Sequence, residues 1–304
     1  MDDRDYVVYL RDDREMDWAQ VATKLDMHPE AARSFYRRVK GTHERKPTFT
    51  HSSEKIDAGE MLRIAFPTDI HAPFHDRYAV ALAVNIIKEF NPDILVCGSD
   101  AIDFYTVSSF DKDPSRRLRL QSEINAWKEI QKELTSASPN ADRIFISGNH
   151  EDRLRRYLWR HPELESLDVL KINTLLDFDS VGVKSYRDEV VVGSLVIKHG
   201  QYVRKDSAYS AKAEIEGERF SINTMTGHTH RGGTFYAKTR SGIIRADECF
   251  CLCSLEADYV KNPNWQHGIV VATVINGQPI IEPILFHGSG DDIFAYWRGK
   301  CYTI

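Results

Sequence analysis

Five short apolar runs in this chain close on the same few residue types. LRIAF (62–66) runs into PTDIH, DILVC (93–97) into GSDAID, RIFIS (143–147) into GNHE, the run at 195–198 into HG, and the segment from 221 into TGHTH. Helical patterns alternate with the first three. Tyr78–Phe90 carries apolar residues at 80, 82, 84, 86, 87 and 90, Ser122–Leu134 forms a second helix, and a third is expected from about Asp152 to Trp159. This βαβα order is that of a sheet with helices packed on its faces. Loops leaving the carboxyl ends of such strands meet in one place. Asp69, His71, Asp100, Asp103, Asn149, His150, His199, His228 and His230 are therefore expected to converge although they lie far apart in the chain.

Taken singly, an Asp or His at a strand end is usually a turn or cap residue. A set that closes successive strands, flanked by glycine, needs another explanation. Carboxylate and imidazole suit manganese, iron and zinc. D-x-H or H-x-H in an extended loop sends both side chains to one side. Two ions in such a cluster can activate a bridging hydroxide and steady the phosphoryl oxygens during in-line attack. A histidine that binds no metal can then protonate the leaving oxygen.

In order and spacing, DIH (69–71), SDAID (99–103), GNHE (148–151), HG (199–200) and GHTH (227–230) resemble the motifs of the calcineurin-like metallophosphoesterases. The resemblance spans 62 to about 287. It implies an α/β sandwich of two mixed β-sheets flanked by helices. It also implies one metal on Asp69, His71, Asp100 and His230, and a second on Asp100, Asn149, His199 and His228. Asp100 would bridge them, His150 would be the proton donor or phosphate contact, and Asp103 would orient it. Manganese is the first expectation for both ions, with iron, zinc, nickel or magnesium as alternatives. One departure stands out: the glycine before the bridging Asp is Ser99 here, with Gly98 one place earlier. Serine there would alter the loop or add a hydrogen bond.

The flanking segments DIHAPFHD, GNHEDRLRRYL and CLCSLEADYVKNPNWQHG resemble a phage and bacterial branch, loosely described as phosphoesterases or DNA-repair-type exonucleases. The resemblance thus implies a phosphodiesterase or nuclease acting on DNA. The alternatives are a phosphomonoesterase of small molecules or proteins, and a DNA-binding or assembly protein with a vestigial site. Arg153 follows His150, Arg204 and Lys205 follow His199, and Arg231 follows His230, so each is a candidate phosphate contact. Tyr105 is a candidate for stacking on a base.

Residues 1–46 read as a separate helix-turn-helix-like module. Trp18, Val21, Ala22 and Leu25 recur at helical spacing after a capping Asp17. Pro29 opens a second helix with Ala32, Phe35, Tyr36 and Val39, and Gly41 is expected to end it. Arg33, Arg37, Arg38 and Lys40 lie on or beside that helix, either as DNA contacts or as the solvated face of a helical cap or dimerisation unit. Residues 47–60 read as a polar linker and 61–304 as the catalytic domain.

The formal net charge of -5 means that nucleic acid would have to be held by a local basic patch. Five cysteines, at 97, 249, 251, 253 and 301, show no disulfide spacing and suggest a reducing compartment. Cys249, Cys251 and Cys253 alternate along an expected strand, where small buried hydrophobes are a better reading than a zinc site. The N-terminus is acidic, and no apolar stretch reaches membrane-spanning length. These features predict a cytoplasmic protein, in the host cytoplasm if phage-encoded, with a phosphoester or nucleic-acid partner and no membrane partner. They leave room for a homo-oligomer.

Overall fold

The computed structural model describes residues 7, 10–11, 16–43, 52–116, 118–240, 242–256 and 262–304. The chain divides into two compact units, Met1–His51 and Ser52–Ile304.

In the first unit, α1 (Trp18–Lys24) starts from a reciprocal cap. Asp17 accepts from the N–H groups of Ala19 and Gln20, and Gln20 Oε1 accepts from the Asp17 N–H. After a tight turn, α2 (Pro29–His43) opens on its proline. It does not stop at Gly41 as expected but runs through it to His43. Val21, Ala22 and Ala32 form a small core with Trp18, Leu25, Phe35 and Tyr36 around it. Arg33 is exposed; the side chains of Arg37, Arg38 and Lys40 lie outside the described part.

The second unit holds two six-stranded mixed sheets. One runs β12 (Gln278–Leu285), β11 (Gly268–Ile275), β2 (Met61–Phe66), β3 (Ile94–Gly98), β4 (Asp142–Ile146), β5 (Val183–Arg187). The other runs β1 (Ser53–Ile56), β6 (Glu189–Val192), β7 (Leu195–Lys198), β8 (Asn223–Thr226), β10 (Gly242–Cys249), β9 (Gly232–Thr239). Alternation along β2 explains the layering. Ile64 and Phe66 face the second sheet and join Val96, Ile146, Ile197 and Met225. Ala65 faces the helices α3 (Arg77–Phe90) and α4 (Leu120–Ala137), beside Leu82, Ile86, Trp127 and Phe145. Ala211 and Ile215 of α6 (Tyr209–Gly217) cover the outer face of the second sheet at Ile244 and Ala246. The result is a helix–sheet–sheet–helix sandwich, as the resemblance implied.

Two expectations need correction. The stretch read as linker is strand from Ser53 to Ile56, paired in parallel with β6, and Ile56 and Ala58 pack on the inter-sheet core. Its alternating polar residues hid a strand with only one face buried. The expected cysteine strand ends at Cys249, because Phe250 takes φ 64° and breaks the extended run. The tail also carries a hairpin the sequence reading did not name, β13 (Phe294–Trp297) and β14 (Lys300–Thr303), whose Ala295, Trp297 and Tyr302 pack into the helix-side core. The helix expected after His150 is α5 (Glu151–Arg160); between it and β5 lie short helical turns at 162–165, 168–170 and 172–175. Among the described residues, no helix is long and apolar enough to cross a membrane.

Candidate metal centre

The carboxyl ends of β2, β3, β4, β7 and β8 deliver their polar residues to one buried cluster. His71 Nε2 stands 3.0 Å from His230 Nε2, and His199 Nε2 stands 3.0 Å from His228 Nδ1. Asp100 Oδ2 lies between the two pairs, 3.9 Å from His71 Nε2 and 3.3 Å from His199 Nε2. Asp69 Oδ1 joins the first pair at 3.3 Å from His230 Nε2, and Asn149 Oδ1 joins the second at 2.8 Å from His199 Nε2. All seven expected ligands are therefore brought together, in two groups that share Asp100.

The local backbone differs from the extended loops expected. Asp69 (φ 52°), His71 (53°), Asp100 (63°), His228 (72°) and His230 (58°) all occupy the left-handed region. Each such non-glycine residue costs about 1–3 kcal/mol and persists only where its surroundings hold it. Part of that hold is close packing. A Cβ on Gly148 would stand 2.1 Å from Asp100 Oδ1, and one on Gly227 would stand 2.3 Å from Asp69 Oδ2. These glycines let the carboxylates press against the loops that carry the other ligands. His228 N–H donates to both Asp69 oxygens, and His150 N–H to Asp100 Oδ1.

The electrostatics ask for positive charge. Burial alone would raise the Asp69 carboxyl, yet the facing His230 and His71 hold it well below the usual range. Asp100 is lowered in the same way, its burial outweighed by His150, His199 and His71. Against its own burial, His230 is pushed up to about 9 by Cys253 and Asp69. Two imidazole nitrogens 3.0 Å apart can share one proton at most, and two such pairs around buried carboxylates form a donor set suited to divalent cations. The residues present fit a pair of ions.

His150 adjoins the cluster, its ring centre 4.2 Å from that of His71 and its nitrogen grouped with His71 and Asp100, but its other contacts differ. Its Nδ1 faces the Asp103 carbonyl oxygen and carboxylate, each at 3.2 Å, while Nε2 accepts from Arg153 Nη2 at 2.8 Å. Arg153 also donates to the Asp103 carbonyl and carboxylate, at 2.9 and 2.7 Å. His150 Nε2 comes within 3.7 Å of Asp100 Oδ2, but its lone pair already has a donor. Burial lowers the His150 pKa, in keeping with a neutral ring.

A profile of the calcineurin-like phosphoesterases matches residues 62–232. The chain belongs to this family. The gene 54 protein of Mycobacterium phage D29 is 29% identical over 246 residues, 73% of this chain and 94% of its own. Its counterpart in Mycobacterium phage L5 is 27% identical over 245 residues, with the same coverage. Among solved structures, vacuolar protein sorting 29 of Cryptosporidium parvum aligns over 79% of this chain and 94% of its own, at 14% identity and a TM-score of 0.40. Vps29 of Entamoeba histolytica, solved with zinc, aligns over 79% and 96% at 12% identity and 0.36.

In this phosphoesterase, Ser99 does add a hydrogen bond. Its hydroxyl is 2.8 Å from His199 Nδ1 and turns Nε2 of that ring to the cluster. Gly98 takes the wider turn at φ 99°, and Ser99 itself sits at φ 55°.

Arg231 is not at the site as a phosphate contact. It is buried, donates to the Lys205 carbonyl and Ser210 hydroxyl at 2.9 and 3.0 Å, and lies near Glu248. Arg204 and Lys205 are exposed on the loop from His199 to α6, with Arg204 over the Tyr202 ring. Arg155 and Arg156 pair with Asp152. Cys253 Sγ sits 3.6 Å from His230 Nδ1, the Trp265 ring packs edge-on at 4.4 Å from the His230 ring centre, and His267 Nε2 lies 2.8 Å from the Cys253 carbonyl oxygen.

Sequence reasoning missed four buried glutamates that grip the ligand loops. Glu151 accepts N–H groups from Gly148, Asp100, Ala101 and Ile102. Glu214 holds Gln201 and Tyr202, Glu248 holds Ala208 and Ser210, and Glu123 holds Tyr105 and Thr106. The only signal was the last letter of GNHE; the other three have acidic residues on helices or a strand far from any motif.

Proposed function

We propose that this metal-dependent phosphoesterase is a dinuclear phosphodiesterase that cleaves nucleic acid. The observation that carries the two-ion reading is Asp100 Oδ2 between two imidazole pairs. One ion would take Asp69, His71, Asp100 and His230, the other Asp100, Asn149, His199 and His228. Bound there, two divalent cations supply water activation and neutralise charge on the phosphoryl oxygens. Asp103 holds the His150 ring through Nδ1; to act as the acid, His150 would first have Nε2 released from Arg153, take a proton there, and then pass it to the leaving oxygen. The Arg153 guanidinium, 2.8 Å from Nε2, is placed to meet the phosphoryl group.

A polyanionic substrate is favoured by local charge. Arg153, Lys112 and Arg116 gather around the aromatic rings beside His150, in a chain whose net charge is -5. The test is a panel on the manganese-loaded protein: linear and nicked DNA, RNA, bis-p-nitrophenyl phosphate and p-nitrophenyl phosphate. Cleavage of the diester and of DNA is expected; rapid cleavage of the monoester beside an inert diester would favour the phosphomonoesterase reading. The first unit, with Arg33 exposed on α2, is part of the same proposal as an aid in holding nucleic acid. Reversing Arg33, Arg37 and Arg38 to Glu should weaken DNA binding and flatten its salt dependence; unchanged affinity would leave the basic face as ordinary solvated surface and the helix-turn-helix resemblance as coincidence or an assembly device.

A further inference from the structure

Arg153 has a second neighbour outside the ligand cluster. Its guanidinium lies 5.6 Å from the ring centre of Phe110, a residue 71% exposed. One exposed phenylalanine is ordinary surface, but the setting of Phe110 is not. Tyr105 and Phe74 stand edge to face at 5.8 Å on the same rim, Lys112 lies 4.9 Å over Tyr105, and Arg116 lies 5.0 Å over Phe74. Three rings and three cations thus interleave along one loop and its border, one guanidinium away from His150.

The rim is built rather than draped. Glu123 accepts the N–H groups of Tyr105 and Thr106 at 2.7 and 3.0 Å, and the Tyr105 hydroxyl accepts from the Asp113 N–H at 2.7 Å. Lys112 Nζ donates to the Ser108 carbonyl oxygen at 2.8 Å, a neutral partner. Burial, and then the nearby Arg153 charge, lower the Lys112 pKa, against the pull of Asp103 and Glu123. Asp113 offsets Arg116 at 3.7 Å.

We infer that residues 105–116 form a nucleobase subsite, in which Phe110 stacks on the base beside the scissile phosphodiester of a single strand while Lys112 and Arg153 hold its phosphate. This rests on the diesterase reading above. An exposed ring is sequence-tolerant, since every base has a π-face, and cations beside it take the backbone. A paired base inside a duplex offers no free face, so the occupant is single-stranded or a frayed end.

The experiment is fluorescence anisotropy on the full, manganese-loaded chain. The probes are a labelled, phosphorothioate-linked oligothymidylate and an abasic strand with the same number of phosphates. Wild type is expected to bind the thymidine strand about tenfold tighter or more. Phe110→Ala should bring the two affinities together, and Phe110→Trp should keep them apart. Lys112→Ala should weaken both strands alike and reduce the salt slope. Equal binding of both strands by wild type, or an undiminished preference in Phe110→Ala, overturns the subsite. Hydrolysis of bis-p-nitrophenyl phosphate alongside equal binding would keep the diesterase and remove only the subsite. An inert diester alongside base-dependent binding would keep the subsite and remove the diesterase.

Discussion

At the scale of single residues, the site separates groups that would hold ions from groups that set those groups. Ser99 is of the second kind: it lies 2.8 Å from His199 Nδ1 and 2.8 Å from the Thr68 hydroxyl. Ser99→Ala keeps the backbone and removes the partner of one ligand. It should weaken binding of the ion on the His199 side by about 10–100-fold and leave the other nearly untouched. Calorimetric titration with Mn²⁺ reads both, and equal affinities in the two proteins would make Ser99 a spacer. His150 is tested differently, because its ring nitrogens face Asp103 and Arg153. His150→Ala should lower turnover by about 10²–10⁴-fold with ion content held, and the defect should shrink when p-nitrophenol is the leaving group. Loss of both ions in that variant would place His150 among the ligands.

At the scale of elements, strands aim the loops and buried glutamates fasten them. Glu151 opens α5 yet turns inward and accepts four N–H groups from the loops after β3 and β4. Burial, and then the Asp100 charge, push its carboxyl up to about 8, while the N–H donors of Gly148, Asp100 and Ile102 pull the other way. All four partners are donors, so the carboxylate is the form that fits. Glu151→Gln keeps the shape but points an amide NH₂ at N–H groups. Leaving such a donor unpaired should cost about 1–3 kcal/mol, read as an earlier urea midpoint and weaker ion binding. An unchanged midpoint would mean that β3 and β4 alone hold the loops.

At the scale of the molecule, the division after His51 moves the boundary of the catalytic unit to Ser52. A chain beginning at Ser52 keeps β1 on β6 and should hydrolyse a small diester at close to full rate. A chain beginning at Met61 lacks β1, and it strips Ile56 and Ala58 from the inter-sheet core. The loss of one such aliphatic side chain is worth about 2–3 kcal/mol, so its melting temperature should fall by on the order of 5 °C. Equal melting of the two would show that β1 contributes little. An inert chain from Ser52, with metals supplied, would make the first unit part of catalysis.

The sequence by itself determined the helix–sheet alternation and which polar residues close the strands, and the resemblance of those motifs implied the seven candidate ligands and the roles of His150 and Asp103. Those signals are local: apolar periodicity sets the strands, and the residues ending them are read directly. Even the cap of α1 was visible in Asp17. Only the tertiary structure decided which neighbouring cation lies beside the cluster. Arg153 and Arg231 each follow a motif histidine, yet one reaches His150 and the other is buried against Ser210 and Lys205. It alone showed that polar Ser53–Ile56 completes a sheet, and that Glu123, Glu214 and Glu248 hold loops distant in sequence. The reason is physical: a carboxylate's partners are backbone N–H groups, which every residue but proline carries, so no sequence pattern marks which loop it will grip.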